Sequence, residues 1–289
     1  MKSSLTPSCS PAIGRMKLVA VLAVLLSPAA LAQHVHLNAG AAATVVGSPV
    51  SFLNGARYSA EAGYVIPLTA ATSGPYAGYH HGSITFTAVP ASEFLGGPVP
   101  GHALPGTHLE MRIVSVAGPA GGSFGFWETP GGEQDGTELT FSLPVGTTDG
   151  TRSFPLSENS GLADEDPFGH FHGRKFTATL PGLYRVGSQA VDTAASGPDG
   201  GPLHTPSEVL TLNFQAGVTI ASTRLTEAGL ELTFATTTDK SHFINRALPT
   251  TATPVWTAVA GPFPGDGRML TVGPLPTDEP AAWFRLRLQ

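Results

Sequence analysis

Cysteine is almost missing from this chain of 289 residues, since Cys9 is the single one. It lies before an apolar run, Leu18–Leu26, that ends in a Ser-Pro-Ala-Ala-Leu-Ala stretch. A basic start, a short apolar core and an Ala-x-Ala end are typical of a secretory signal peptide, which we predict over residues 1–32. The mature chain, starting at Gln33, then has no thiol. Disulfides, thiolate-held metals and a cysteine-linked lipid anchor are thereby excluded.

Charged residues are also scarce, at 12% of the chain, and basic ones are in the minority. Beyond residue 32 there are 12 Lys and Arg against 21 Asp and Glu, a net charge of −9. An acidic chain argues against nucleic acid or an anionic membrane as a partner, and it is compatible with a cation as a ligand.

Long hydrophobic runs are lacking as well. Leu18–Leu26 falls short of the roughly 20 residues that a membrane-spanning helix needs, so no transmembrane segment is expected in the mature protein. The leader predicts export, to the periplasm, the cell surface or the extracellular space. Residues 1–15, which are polar and contain proline, are interpreted as an upstream extension of the start.

Catalytic signatures are missing too. The chain contains no H-E-x-x-H, and no glutamate stands out as a general base. The sequence therefore predicts a protein that is not an enzyme.

Glycine (35 residues) and proline (26 residues) are abundant, and they separate short apolar runs in a chain that is 41% apolar. Many such turns between period-two segments indicate an all-β fold, with an immunoglobulin-like or jelly-roll-type β-sandwich as the economical packing. We predict the sandwich over residues 33–217 and a smaller β domain over residues 218–289. The clearest strands are Gly82–Val89, His108–Val114, Glu138–Leu143, Lys175–Leu180, Leu183–Val191 and Glu208–Phe214.

Histidines recur in pairs. His170 and His172 are one residue apart, and His34 and His36 repeat that spacing. In an extended strand such residues share a face, with their Cα atoms roughly 6.5–7 Å apart, so both imidazoles can reach one ion. If the strand continues regularly through Gly173, His170 and His172 lie on its inward face, while a bulge there would break this phase.

Other candidates complete a predicted metal site. His80 and His81 are adjacent, so at most one would point toward an ion, and His204 lies in a Gly/Pro-rich loop. Asp166 precedes the His170 pair and is a candidate ligand or a hydrogen-bond partner of an imidazole. Imidazoles without thiolate favour Zn²⁺, and next Cu²⁺, over Ca²⁺ or Mg²⁺. The predicted ligands are His34, His36, His80, His81, His170, His172, His204 and Asp166.

The segment Gly169-His170-Phe171-His172, followed by residues 176–186, resembles the G-H-x-H…F-T-x-P-G-x-Y-x-V signature of bacterial surface-anchored β domains. These domains are of the choice-of-anchor M and actinobacterial-type wall-repeat kind. Members often begin with His-Val-Asp, where this chain has His34-Val35-His36. The resemblance, which covers the first strand and residues 158–191, implies extracellular metal handling, particularly zinc acquisition. The segments Trp256–Val259 and Trp283–Leu288 resemble a small β module that ends many secreted bacterial proteins.

Three functions remain open at this stage. The first is a secreted or cell-surface metal binder, with a metal-uptake system or a cell-surface component as a further partner. The second is an adhesion or surface-structural module whose histidines are structural. The third is a copper oxygenase that uses His34 as its amino terminus, which requires cleavage after Gln33, a disfavoured residue at a cleavage position.

Overall fold

Strands form nearly all of the regular structure, as the sequence predicts. The structure is a computed structural model that describes residues 36–129, 136–249, 254–275 and 281–289. Nineteen strands are found in these ranges: β1 His36–Ala41, β2 Val50–Phe52, β3 Ile66–Ala70, β4 His80–Gly82, β5 Thr85–Ala88, β6 Leu109–Ala117, β7 Ser123–Glu128, β8 Glu138–Pro144, β9 Arg152–Pro155, β10 Gly169–His170, β11 Lys175–Ala178, β12 Gly182–Asp192, β13 Leu210–Ala216, β14 Ile220–Thr226, β15 Gly229–Ala235, β16 Ser241–Ala247, β17 Thr257–Pro264, β18 Met269–Leu275 and β19 Trp283–Leu288. The helical pieces are one turn each: α1 Gly55–Tyr58 and 3₁₀ turns at Glu93–Leu95 and Pro198–Gly200.

Two sheets form a sandwich from the first thirteen strands. One sheet has four strands in the order β10-β5-β1-β2, and the other has nine in the order β8-β7-β11-β4-β3-β13-β12-β6-β9. Most neighbours are antiparallel, but β1 pairs in parallel with β5, and β3 pairs in parallel with β13. The all-β prediction is confirmed.

The core between the sheets follows from alternation along the strands. In β6 every second residue, Leu109, Met111 and Ile113, is at most 2% exposed, and in β5 Phe86 and Ala88 are buried while Thr85 and Thr87 are not. Burying one face of each strand removes about 25 cal/mol of apolar hydration cost per Å². Aromatic rings fill the centre, with neighbouring centroids 4.2–6.1 Å apart: Phe86, Phe124, Phe126, Phe154, Phe176 and Phe214.

The remaining strands form two three-stranded sheets, in the orders β14-β15-β18 and β17-β16-β19. A second hydrophobic cluster lies between them, around Leu232, Phe234, Ile244 and Leu275. Backbone hydrogen bonds join this part to the sandwich, because the N–H of Val65 donates to Gly267 and the N–H of Met269 donates to Gly63, at 3.0 and 2.9 Å. We call residues 218–289 the C-terminal β module.

The structure shows the second alternative for the His170 pair, a break of the strand at Gly173, so the pair does not lie on the inward face. Gly173 has φ +77°, a left-handed conformation that interrupts the extended chain. The chain leaves the four-stranded sheet after β10 and enters the nine-stranded sheet at β11, so His170 does not share a face with Phe176. This change of sheet places His170 on an outer face.

Among the described residues, no helix is both long enough and apolar enough to cross a bilayer.

Candidate metal site

Two histidines flank one threonine on the outer face of the four-stranded sheet. In the register of this sheet, His36 of β1 lies opposite Thr85, and His170 of β10 lies opposite Thr87, both of the central strand β5. Residues directly opposite one another share a face, and the other face of β5 carries buried Phe86. His36 and His170 are half-buried and lie on the outer side.

The two imidazoles lean toward each other across β5. Neighbouring strands are about 4.8 Å apart, so β1 and β10 are separated by roughly 9.5 Å at the backbone. The ring centroids of His36 and His170 are nevertheless only 4.8 Å apart. Nδ1 of His36 hydrogen-bonds to Oγ1 of Thr87 at 3.1 Å, which holds the ring over the central strand. The side chains therefore converge where upright rotamers would keep them apart.

His172 continues this convergence. Its ring centroid is 4.3 Å from that of His170, and its side chain is exposed. Two imidazoles bound to one Zn²⁺ at about 2.0–2.1 Å have centroids roughly 4.5–5.2 Å apart. The spacings of His36 from His170 and of His170 from His172 lie close to that range. We call these three residues the histidine row.

The residue between the two histidines of the motif points away from the row and anchors the segment. The ring of Phe171 lies against the guanidinium of Arg174, with Cζ 3.9 Å from the centroid. Arg174 is 4% exposed, and its Nε donates to Oε1 of Glu128 at 2.7 Å, while its Nη1 donates to the carbonyl of Pro155 at 2.6 Å. Burial lowers the pKa of Arg174, and Glu128 opposes that shift. Arg174 therefore ties the histidine-bearing segment to β7 and β9.

Asp166 holds a turn. Its carboxylate accepts hydrogen bonds from the backbone N–H groups of Ala91, Ser92 and Phe168, at 2.7–3.2 Å. Burial would raise the pKa of Asp166, but the hydrogen bonds from Ser92, Phe168 and Ala91 outweigh it and lower the pKa below its ordinary value. Both oxygens are thus engaged within the protein, in a role that needs no metal.

The lowered pKa of Asp166 predicts a pH dependence of stability. Its carboxylate stabilises the fold fully above the unfolded pKa of about 3.9, and this contribution is lost as the pH falls through the lower, folded value. We expect Asp166→Asn to lower the free energy of unfolding at pH 7, and the gap from the parent protein to close below about pH 4. Urea unfolding of both proteins between pH 3 and pH 7 measures this gap in the free energy of unfolding. Asp164→Asn is the control, because Asp164 is exposed at a positive φ that asparagine tolerates. A gap that is constant across this pH range would contradict the assignment.

His80 and His81 lie in β4 of the nine-stranded sheet, away from the strands that carry the histidine row. Their register partners, Ala178 for His80 and Thr177 for His81, put them on opposite faces, as their adjacency predicts. His81 stacks on Tyr76 with centroids 4.7 Å apart. The structure does not bring this pair together with the row.

His204 is 1% exposed and uses both ring nitrogens inside the protein. Nδ1 donates to the carbonyl of Ser48 at 3.0 Å, and Nε2 accepts the N–H of Leu104 at 3.0 Å. This pattern defines a neutral imidazole with its proton on Nδ1. Ligation by His204 would require these buried bonds to break.

The described part of the chain contains no group of three or more His, Cys, Asp or Glu side chains already arranged to hold a metal ion. His34, the first predicted ligand, lies outside the described residues. The predicted site therefore reduces, among the residues that the structure describes, to the histidine row.

The predicted ligand set leaves out three residues that shape the row. Thr87 orients His36 from 51 residues away, and Glu128 pairs with Arg174 from 46 residues away. Glu158 accepts the backbone N–H of His170 at 2.8 Å through Oε1. Glu158 is one of four acidic residues that precede the motif, with Asp164, Glu165 and Asp166, and this clustering is a signal in the sequence. No local pattern marks Thr87 or Glu128.

No protein-family model, curated protein or solved structure matches this chain.

Proposed function

We propose that the protein binds a divalent transition-metal ion, Zn²⁺ first and Cu²⁺ next, at the histidine row. The observation that carries the proposal is the convergence of His36 and His170 over Thr87, to a ring separation of 4.8 Å from strands that are two apart. Imidazole without thiolate is a ligand set that suits these two ions.

The hydrogen bond of His36 indicates which of its two ring nitrogens would bind a metal ion. Metal-bound histidines usually have their second ring nitrogen hydrogen-bonded, which fixes the ring orientation. Since Nδ1 of His36 bonds to Thr87, its Nε2 is the nitrogen that would face an ion. His172, exposed beside His170, is the candidate for a third imidazole, and solvent can complete the coordination, as in sites that keep an open position.

Export remains a proposal based on the sequence of residues 1–32, which precede the described part of the chain. An exported acidic protein with three converging imidazoles, of which that of His172 is exposed, fits metal capture outside the cytoplasm. The resemblance to surface-anchored β domains implies the same role. We propose no catalytic step.

Calorimetric titration of the mature chain with zinc and with copper tests the proposal. We expect the double variant His36→Ala/His170→Ala to bind at least about 100-fold more weakly, because each imidazole contributes several kcal/mol to a site with few ligands. Thr87→Val, which keeps the shape but removes the hydroxyl, should weaken binding by about 10-fold or more.

His102→Ala is the matched control, since His102 is half-buried, lies outside the histidine row, and its Nδ1 hydrogen-bonds to the carbonyl of Ala103. Thermal melting without metal checks that each variant folds. Binding of neither metal by the parent protein, or equal binding by the double variant and the control, would refute the site.

A surface-structural role is the second candidate, and the internal hydrogen bonds of His204 favour it. The two roles differ in the response of the melting temperature to metal. An ion that binds only the folded state raises that temperature, whereas structural histidines leave it unchanged when a chelator is added.

A further inference from the structure

The outer face of the sheet β17-β16-β19 carries cations and aromatic rings together. In β19, Trp283, Arg285 and Arg287 alternate with Phe284 and Leu286, which pack against the core of the C-terminal β module. The first three are exposed, and Trp283 keeps 46% of its surface accessible. β19 is also an edge strand, so one side of this face is open.

Both arginines are stacked on aromatic rings: Phe243 belongs to β16, the neighbour of β19, and Trp256 directly precedes β17. Cζ of Arg285 lies 4.3 Å from the ring centroid of Trp256, and Cζ of Arg287 lies 4.3 Å from that of Phe243. Stacking fixes the guanidinium plane, which lowers the entropy lost when its N–H edges bind a planar anion. One N–H group of Arg287 already donates, from Nη1 to Oε1 of Gln289 at 3.3 Å. Within the described ranges, neither arginine forms an ion pair.

The acidity of the whole chain does not extend to this region. Residues 218–289 contain six basic and six acidic residues, so the acidic excess lies in the sandwich. Arg285 and Arg287 are two positions apart in a strand, which separates their Cα atoms by roughly 6.5–7 Å on one face. The face therefore presents a pair of oriented cations beside an exposed indole.

We propose that this face binds an acidic polysaccharide, with the carboxylates of successive sugars on Arg285 and Arg287 and a sugar ring against Trp283. Guanidinium and carboxylate form two parallel charge-assisted hydrogen bonds, a geometry that a pre-oriented arginine favours. The flat indole offers the apolar surface on which the C–H face of a pyranose packs. The site is independent of the histidine row.

Two other occupants are less consistent with these observations. Nucleic-acid binders typically neutralise about 6–10 phosphates, and two arginines cannot do so. A second copy of the chain would cover the exposed edge of β19 by strand pairing, and it would not need the stacked arginines. Both are outcomes of the test.

Affinity electrophoresis of the mature chain in gels that contain polygalacturonate, dextran or single-stranded DNA provides the test. We expect retardation by polygalacturonate alone, and about 10-fold weaker binding for Arg285→Gln/Arg287→Gln, because two exposed charge-assisted contacts are lost. Trp283→Ala should also weaken binding. Arg224→Gln is the control, since this exposed arginine pairs with Glu231 on the other sheet of the module.

Circular dichroism melts test whether the variants fold, and sedimentation tests whether the parent chain is a monomer or a dimer. The proposal is overturned if polygalacturonate does not retard the parent chain, or if the arginine pair variant binds like the control. Equal retardation by dextran, tighter binding to DNA, or loss of binding on dissociation of a dimer would overturn it as well.

Discussion

Glu128→Ala is expected to lower the free energy of unfolding by about 3 kcal/mol, because it leaves the guanidinium of Arg174 buried without its counter-ion. The side chain of Arg174 is 3% exposed, and that of Glu128 is 24% exposed. Rings on several sides of the guanidinium, among them Phe126, Phe154 and Phe171, restrict its access to water. The partial exposure of Glu128 keeps the expected loss at the low end of the range for buried pairs.

A double variant separates this effect from simple loss of packing. Arg174→Met removes the charge and keeps much of the volume, so Glu128→Ala/Arg174→Met should be more stable than Glu128→Ala alone. Urea unfolding of the parent, both single variants and the double variant measures the coupling. If the two losses simply add, the ion pair does not carry the stability assigned to it.

Asp192→Ala should produce a comparably large loss, about 4 kcal/mol, from a single buried carboxylate. Its Oδ1 accepts the N–H groups of His108 and Ala194, at 3.2 and 3.0 Å. Its Oδ2 accepts those of Leu203 and His204, at 2.8 and 3.1 Å. Each buried N–H that loses its acceptor costs about 1–3 kcal/mol, less where water can enter. The melting temperature should fall by roughly 10 °C for a domain of this size.

Asp192→Asn provides the graded comparison. The amide keeps one oxygen acceptor but turns an N–H₂ group toward two backbone donors. We therefore expect Asp192→Asn to be less stable than the parent protein and more stable than Asp192→Ala. Differential scanning calorimetry of the parent, Asp192→Asn and Asp192→Ala measures the order of their stabilities. A loss below about 1 kcal/mol for Asp192→Ala would show that the four N–H groups find other acceptors.

Strand positions and much of the core could be predicted from period-two alternation. Leu109, Met111 and Ile113 are buried as predicted, because they lie on the face of β6 that packs against the core. Leu180 is the counterexample. The alternation predicts that Leu180 ends the strand Lys175–Leu180, but β11 ends at Ala178 and Leu180 is 38% exposed. The turn at Pro181-Gly182 begins earlier than the alternation indicates.

The residues of the candidate site could be selected from the sequence, but their arrangement could not. Histidine spacing selected His36, His170 and His172, which the structure brings together, and it equally selected His204, which the structure engages elsewhere. Alternation cannot show that Gly173 turns left-handed and moves the chain to another sheet. Contacts such as that between His36 and Thr87 arise from strand order, which no local pattern records.

The parallel pairing of β3 with β13 has a consequence for how the chain acquires its structure. Ile66 lies beside Phe214, so the large sheet cannot be completed until the end of the sandwich has been synthesised. Such pairing between distant segments is slow, because the long intervening chain must close first. Until β13 arrives, β3 keeps an unpaired edge that invites association with other chains. A nascent or truncated form that lacks β13 is therefore expected to associate with other chains more readily than the full chain.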